Sequence, residues 1–105
     1  MIAPNAPPDA RGGSSPKTFR AEVTIVNRRG LHARAAAKFV KAAEQFAADI
    51  EVRKDDMTVC GTSIMGLMVL AAALGSQLEI SARGREAKAA LAALVALVER
   101  GFDEN

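Results

Sequence analysis

The chain has no tryptophan and no tyrosine, and its only aromatic side chains are four phenylalanines. Single-stranded bases are held largely by stacking on aromatic faces, so a nucleic-acid partner is not expected. The net charge of +2 is too small to announce one either. A single cysteine, Cys60, makes no internal disulfide and no cysteine metal cluster, which fits a reducing compartment. A single histidine, His32, excludes any site that needs two, and with it most zinc centres. No metal or other cofactor is expected. The uncharged run from Ile64 to Leu74 has only about half the length of a membrane span, so no membrane partner is expected. The N-terminus lacks a basic head followed by an apolar stretch, which argues against a secretory signal and makes cytoplasm the expected location.

What is present is enough for one modest core. The 105 residues fit a single domain, and half of them are hydrophobic. All four prolines, with Gly12, Gly13, Ser14 and Ser15, fall in residues 1–17. That composition buries nothing, so residues 1–17 are expected to be a flexible tail and residues 18–105 the folded domain. Phe19, Ala21, Val23 and Ile25 alternate with Arg20, Glu22 and Thr24, the period of a half-buried strand. Asn27 to Gly30 reads as a turn. From Ala33 to Ala48 the period becomes helical, with Ala36, Phe39 or Val40, Ala43, Phe46 and Ala47 on one stripe. Ile50 and Val52 open a second strand, Lys54 to Asp56 a hairpin turn, and Met57 to Cys60 a third strand, in which Cys60 is expected to be buried. Ser63 is placed to cap a short helix reaching about Leu70, with Gly75 closing that segment. Leu78, Ile80 and Ala82 mark a fourth strand. A last helix runs from about Glu86 to Arg100, with Gly101 as its terminating glycine. The order β-α-β-β-α-β-α predicts an α+β open-faced sandwich: a four-stranded antiparallel sheet covered on one face by three helices.

The turn before the first long helix delivers His32 to that helix's start. The first N–H groups of a helix have no internal partners, and with the macrodipole they favour an anion. The same positive end disfavours a second positive charge on the ring, so the imidazole keeps a lone pair for nucleophilic attack. A phosphoryl group on that ring would be stabilised by roughly 0.3–2 kcal/mol. Arg34, two residues on, is placed to offset phosphate charge with forked hydrogen bonds. There is no phosphate-binding glycine loop, no Ser–His–Asp set and no paired metal carboxylates. One nucleophile beside one arginine fits a carrier without turnover of its own better than a self-sufficient enzyme. Against this stands the plain alternative of a surface histidine among arginines with no role.

At Gly30-Leu31-His32-Ala33-Arg34 the sequence resembles the HPr phosphocarrier family of the phosphoenolpyruvate-dependent phosphotransferase system. Ser63-Ile64-Met65-Gly66-Leu67-Met68 resembles that family's regulatory serine and second helix, at a similar spacing from the histidine. The resemblance covers about residues 19–101. It implies phosphorylation of His32 on a ring nitrogen by enzyme I and delivery to an enzyme IIA-type acceptor. It also implies phosphorylation of Ser63 by an HPr kinase/phosphorylase in members that carry this signature. The ending Gly101-Phe102-Asp103-Glu104 resembles the nitrogen-related branch, which regulates metabolism and does not drive sugar uptake. Many members place proline where this chain has Ala35, which restores one N–H near the expected phosphate.

Ser63 as a plain helix cap accounts for its position by itself, and cap and switch are compatible. Ile64, Met65 and Met68 are expected outward on the second helix while Leu67 and Leu70 face the sheet. With methionine's adaptability they would form an apolar docking patch, an assignment that the resemblance favours over simple core packing. Arg28, Arg29, Arg34, Lys38 and Lys41 would supply a basic rim to steer an acidic partner. A monomer is expected. The competing readings are a binding-only regulatory domain of the same fold, which would not need His32 or Arg34, and a small RNA-binding domain, opposed by the missing aromatics.

Overall fold

The period-two segments pair into one antiparallel sheet. In the computed structural model, which describes residues 17–104, strands β1 (Thr18–Thr24), β2 (Asp49–Lys54), β3 (Met57–Cys60) and β4 (Gln77–Arg83) lie in the order β1-β4-β2-β3. β4 is central on its β1 side and β2 side, with Ala21 opposite Ile80 and Ile80 opposite Val52. Register puts Val23, Ile50, Val52, Leu78, Ile80 and Ala82 on one face, all buried. The other face carries Arg20, Glu22, Glu51, Arg53 and Glu79, with Arg53 Nη2 3.4 Å from Glu79 Oε1. A sheet wet on one face needs a cover on the other. Helices α1 (Ala33–Ala43), α2 (Ile64–Val69) and α3 (Ala87–Glu99) provide it. The expected open-faced sandwich is the observed one.

The expected tail, residues 1–17, lies outside the described residues except for Lys17, which is exposed and precedes β1. Three local expectations change. α1 ends at Ala43, not near Ala48, because the backbone beyond it is used elsewhere. Ala47 donates its N–H to Glu86 Oε1 at 2.7 Å and accepts from the Glu86 N–H at 2.9 Å, so it cannot continue the helix. Gly75 does not terminate α2. Ala71 takes the left-handed position after the Leu70 cap, while Gly75 donates its N–H to the Ile25 carbonyl at 2.8 Å in the turn before β4. Cys60 is exposed, not buried, because it sits at the end of the sheet's edge strand with its Sγ 3.1 Å from Thr62 Oγ1.

The core is rich in alanine. Ala35, Ala36, Ala43, Ala82, Ala87 and Ala90 are all buried, which lets backbone approach backbone closely. Bulk comes from a few side chains, among them Phe39 and Phe102. Phe102 belongs to a single 3₁₀ turn, η1 (Gly101–Asp103), just beyond α3. Gly101, Phe102 and Asp103 have φ of 66°, 57° and 61°. The left-handed region costs a residue with a side chain about 1–2 kcal/mol. Phe102 has no exposed surface, and that burial offsets the backbone cost. Phe102→Ala is therefore expected to destabilise the domain by about 3–5 kcal/mol in chemical denaturation. A loss below about 1 kcal/mol would show that Phe102 does not anchor the chain end.

Candidate functional site

Delivery of His32 depends on a close backbone crossing. Gly30 has φ of +68°, and a Cβ added there would lie 2.4 Å from the Ala72 carbonyl oxygen. That same oxygen accepts the Leu31 N–H at 2.9 Å. Leu31 is buried, and His32 follows it as the N-cap of α1. His32 has extended backbone (φ −79°, ψ 179°), and its carbonyl accepts the Ala36 N–H at 2.8 Å. Its side chain makes no capping hydrogen bond, and the first turn of α1 carries no acidic residue. The positive helix end is thus left for another anion.

Arg34 lies in that first turn and is exposed. Among the described residues its guanidinium makes no hydrogen bond or ion pair. Arg28 and Arg29 are exposed on the loop before His32. Lys41 is exposed in the last turn of α1. Lys38 is half-buried and donates from Nζ to the Phe102 carbonyl at 2.8 Å, so it is tied to the chain end.

Ser63 caps α2, its Oγ accepting the Gly66 N–H at 3.0 Å. Leu67 and Leu70 are buried, while Ile64, Met65 and Met68 are exposed, Met65 to 74%. Val26, Val69 and Leu74 are also exposed hydrophobics, which the periodicity did not single out. α2 packs on α1, so this apolar surface shares a side of the molecule with the helix that carries His32.

Two residues at the site escaped the sequence reading. Asn27 is buried, and its Nδ2 donates to the Gly30 carbonyl at 2.8 Å and to Glu104 Oε1 at 2.9 Å. The other carboxylate oxygen of Glu104, Oε2, is in contact with His32 Nε2. The two side chains are only 14% and 20% exposed. Hydrogen bonds from Asn27 and then His32 hold the Glu104 carboxyl below the ordinary carboxylate range, and the charge of Arg29 adds to this. Glu104 stood out in the sequence only as part of the ending Gly101-Phe102-Asp103-Glu104, and nothing local pairs it with an asparagine 77 positions away. Among the described residues no group of histidine, cysteine and acidic side chains could hold a metal ion, and no helix is long and apolar enough to cross a membrane.

Comparison with known proteins adds an independent line. Residues 19–100 match the family described as PTS HPr component phosphorylation site. The phosphocarrier protein HPr of Pseudomonas putida is 48% identical over 80% of this chain and 94% of its own. The phosphocarrier protein NPr of Shewanella violacea is 40% identical over 79% of this chain and 91% of its own. The crystal structure of HPr-C-His from Thermoanaerobacter tengcongensis superposes with a TM-score of 0.79 at 41% identity, covering 83% of this chain and 98% of the other.

A carboxyl whose folded value is depressed keeps its contribution above the ordinary range and loses it only as pH falls through the depressed value. The Glu104 contact is therefore expected to persist through neutral pH into mild acid. Carbon NMR of the Glu104 side chain is expected to titrate below an ordinary glutamate, and Asn27→Ala to raise its midpoint. An unchanged midpoint in that variant would remove Asn27 as the main cause.

Proposed function

The chain belongs to the HPr family of phosphocarriers of the phosphotransferase system, and we propose that the phosphoryl group it carries is held on His32. The observation that supports this most is the cap geometry. His32 sits at the N-terminus of α1 and does not spend its side chain on capping, so the first N–H groups of the helix remain for an anion. In the acceptance step a ring nitrogen lone pair forms the N–P bond while the bond from phosphorus to the donor breaks, its electrons leaving with the donor. Onward transfer is the same displacement in reverse, with the N–P electrons returning to the ring. Arg34, exposed in the same helical turn, offsets the phosphate charge without supplying a base for hydrolysis.

The proposed donor is enzyme I, drawing on phosphoenolpyruvate, and the proposed acceptor is of the enzyme IIA type. In this reading the protein has no turnover of its own and works as a cytoplasmic monomer. The exposed surface of Ile64, Met65 and Met68 is suited to docking both partners, and the exposed charges of Lys41, Arg28 and Arg29 are suited to steering acidic ones. Ser63, half-exposed at the start of that surface, is the proposed regulatory phosphorylation site. A phosphate there is tolerated by the helix end but places negative charge beside the docking patch. The ending Gly101-Phe102-Asp103-Glu104 supports assignment to the nitrogen-related branch.

With phosphoenolpyruvate and a matched, active enzyme I, intact mass is expected to rise by one acid-labile phosphate, and His32→Ala to abolish the gain. Arg34→Ala should keep the site but slow transfer about tenfold, equivalent to about 1.4 kcal/mol of barrier. Retained acceptance in His32→Ala would overturn the assignment. Absence of any gain would turn the reading to a domain that acts by binding alone.

A further inference from the structure

α3 covers the sheet with one side only, yet its outward side is not polar. From Ala89 to Val98 the helix carries no polar side chain, although Ala89 and Ala92 are exposed. A surface helix ordinarily turns charged or polar residues to water. Alanine is a good helix former and by itself points to no ligand. The groove that α3 forms with α1 does. One wall is Ala93, Ala96 and Leu97 with Arg100 at the helix cap. The other is Lys38, Lys41 and Ala42 with Gln45 just beyond the helix end. The groove has a volume of about 560 Å³. Each wall follows the spacing i, i+3, i+4, i+7, so it runs along two helical turns, about 10 Å.

We propose that the α1–α3 groove docks an amphipathic helix of a partner protein, one with small apolar side chains on one face and acidic residues along its flanks. This does not depend on the role of His32, and no residue of α2 lines the groove. A straight groove between two parallel walls of helical spacing suits a third helix, whose own apolar stripe repeats at the same positions. The floor favours close approach. Ala42, Ala93 and Ala96 are half-buried and end at Cβ, so an incoming helix axis can come to the short end of the 8–10 Å range of packed helices.

Charge selects the occupant. Lys38, Lys41 and Arg100 rim the groove, against the single acid Asp103. Asp103 is already engaged, its Oδ1 accepting from Arg100 Nε at 2.9 Å. Lys38 Nζ meets a neutral acceptor, the Phe102 carbonyl, so its charge is not cancelled there. Among the described residues Lys41 makes no ion pair. The acids at the ends of the same two helices, Glu44 and Glu99, do not line the groove. The rim is thus left positive by two charges, which attracts an acidic flank and repels a basic one. A second copy of the chain is a poor occupant. Two-fold pairing of this face with itself sets the same cations against each other.

The test uses the whole chain, labelled with nitrogen-15, and two synthetic helical peptides of about 16 residues, long enough to hold a helix in water. Both carry alanine and leucine on one face; one has glutamate along its flanks and the other lysine. The glutamate peptide should shift the amides of Lys41, Ala42, Ala93 and Ala96, with affinity that falls as salt is added. The lysine peptide should shift none of them. Ala93→Glu fills the groove and reverses its charge, and should weaken the glutamate peptide at least about tenfold while leaving phosphate acceptance from enzyme I unchanged. Arg100→Ala removes one rim cation without crowding the core, and should weaken the peptide several-fold even if Ala93→Glu disturbs the helix. Shifts centred on α2, or equal binding of both peptides, would overturn the proposal. So would binding unmoved by Arg100→Ala, or shifts of the groove amides with protein concentration alone, which would make a second copy the occupant. Loss of phosphate acceptance in a folded Ala93→Glu variant would assign the groove to the transfer surface instead.

Discussion

The close crossing of Gly30 over Ala72 is the constraint on which the site depends. The Leu31 N–H reaches the Ala72 carbonyl at 2.9 Å only because the residue before it has no Cβ to obstruct the approach. That bond sets where Leu31 enters the core, and so where the chain stands when it begins α1. His32 is the residue at that point. The loop after α2, which supplies the carbonyl, is held by the packing of Leu67, Leu70 and Ala72. A helix that carries an apolar outward surface and a loop that positions His32, the proposed nucleophile, are thus parts of one packed arrangement.

The other end of the chain completes the site from the opposite direction. Phe102 is anchored in the core although its backbone occupies the left-handed region. This places the last described residue, Glu104, against the histidine. The positive helix end, the ring and the carboxylate then stand together, with Arg34 exposed in the adjacent turn. In the proposed reading the arrangement brings together a nucleophilic ring, a carboxylate held by Asn27 and an exposed guanidinium, which are elements of reversible group transfer.

Much of this was legible in the sequence because the fold is written in periods. Val23, Ile50, Val52, Leu78 and Ile80 are buried as their alternation requires, and Ser63 caps its helix as its type and place predict. His32 stood out through a short motif at a helix start. What escaped were features fixed by distant backbone. The end of α1 is set by Glu86 and not by composition. Cys60 is exposed because β3 is an edge strand, which strand order decides and local pattern does not. Asn27 looked like an ordinary turn residue and Glu104 like surface charge, because their meeting requires the whole sheet and α3 to be in place.

The most direct test of the central claim is the phosphorus-31 NMR spectrum of the protein after incubation with its phosphoryl donor, recorded with nitrogen-15 in the histidine ring. The account predicts a single phosphoramidate resonance coupled to a ring nitrogen of His32. A phosphoester resonance without nitrogen coupling would place the phosphate on a hydroxyl side chain and contradict it.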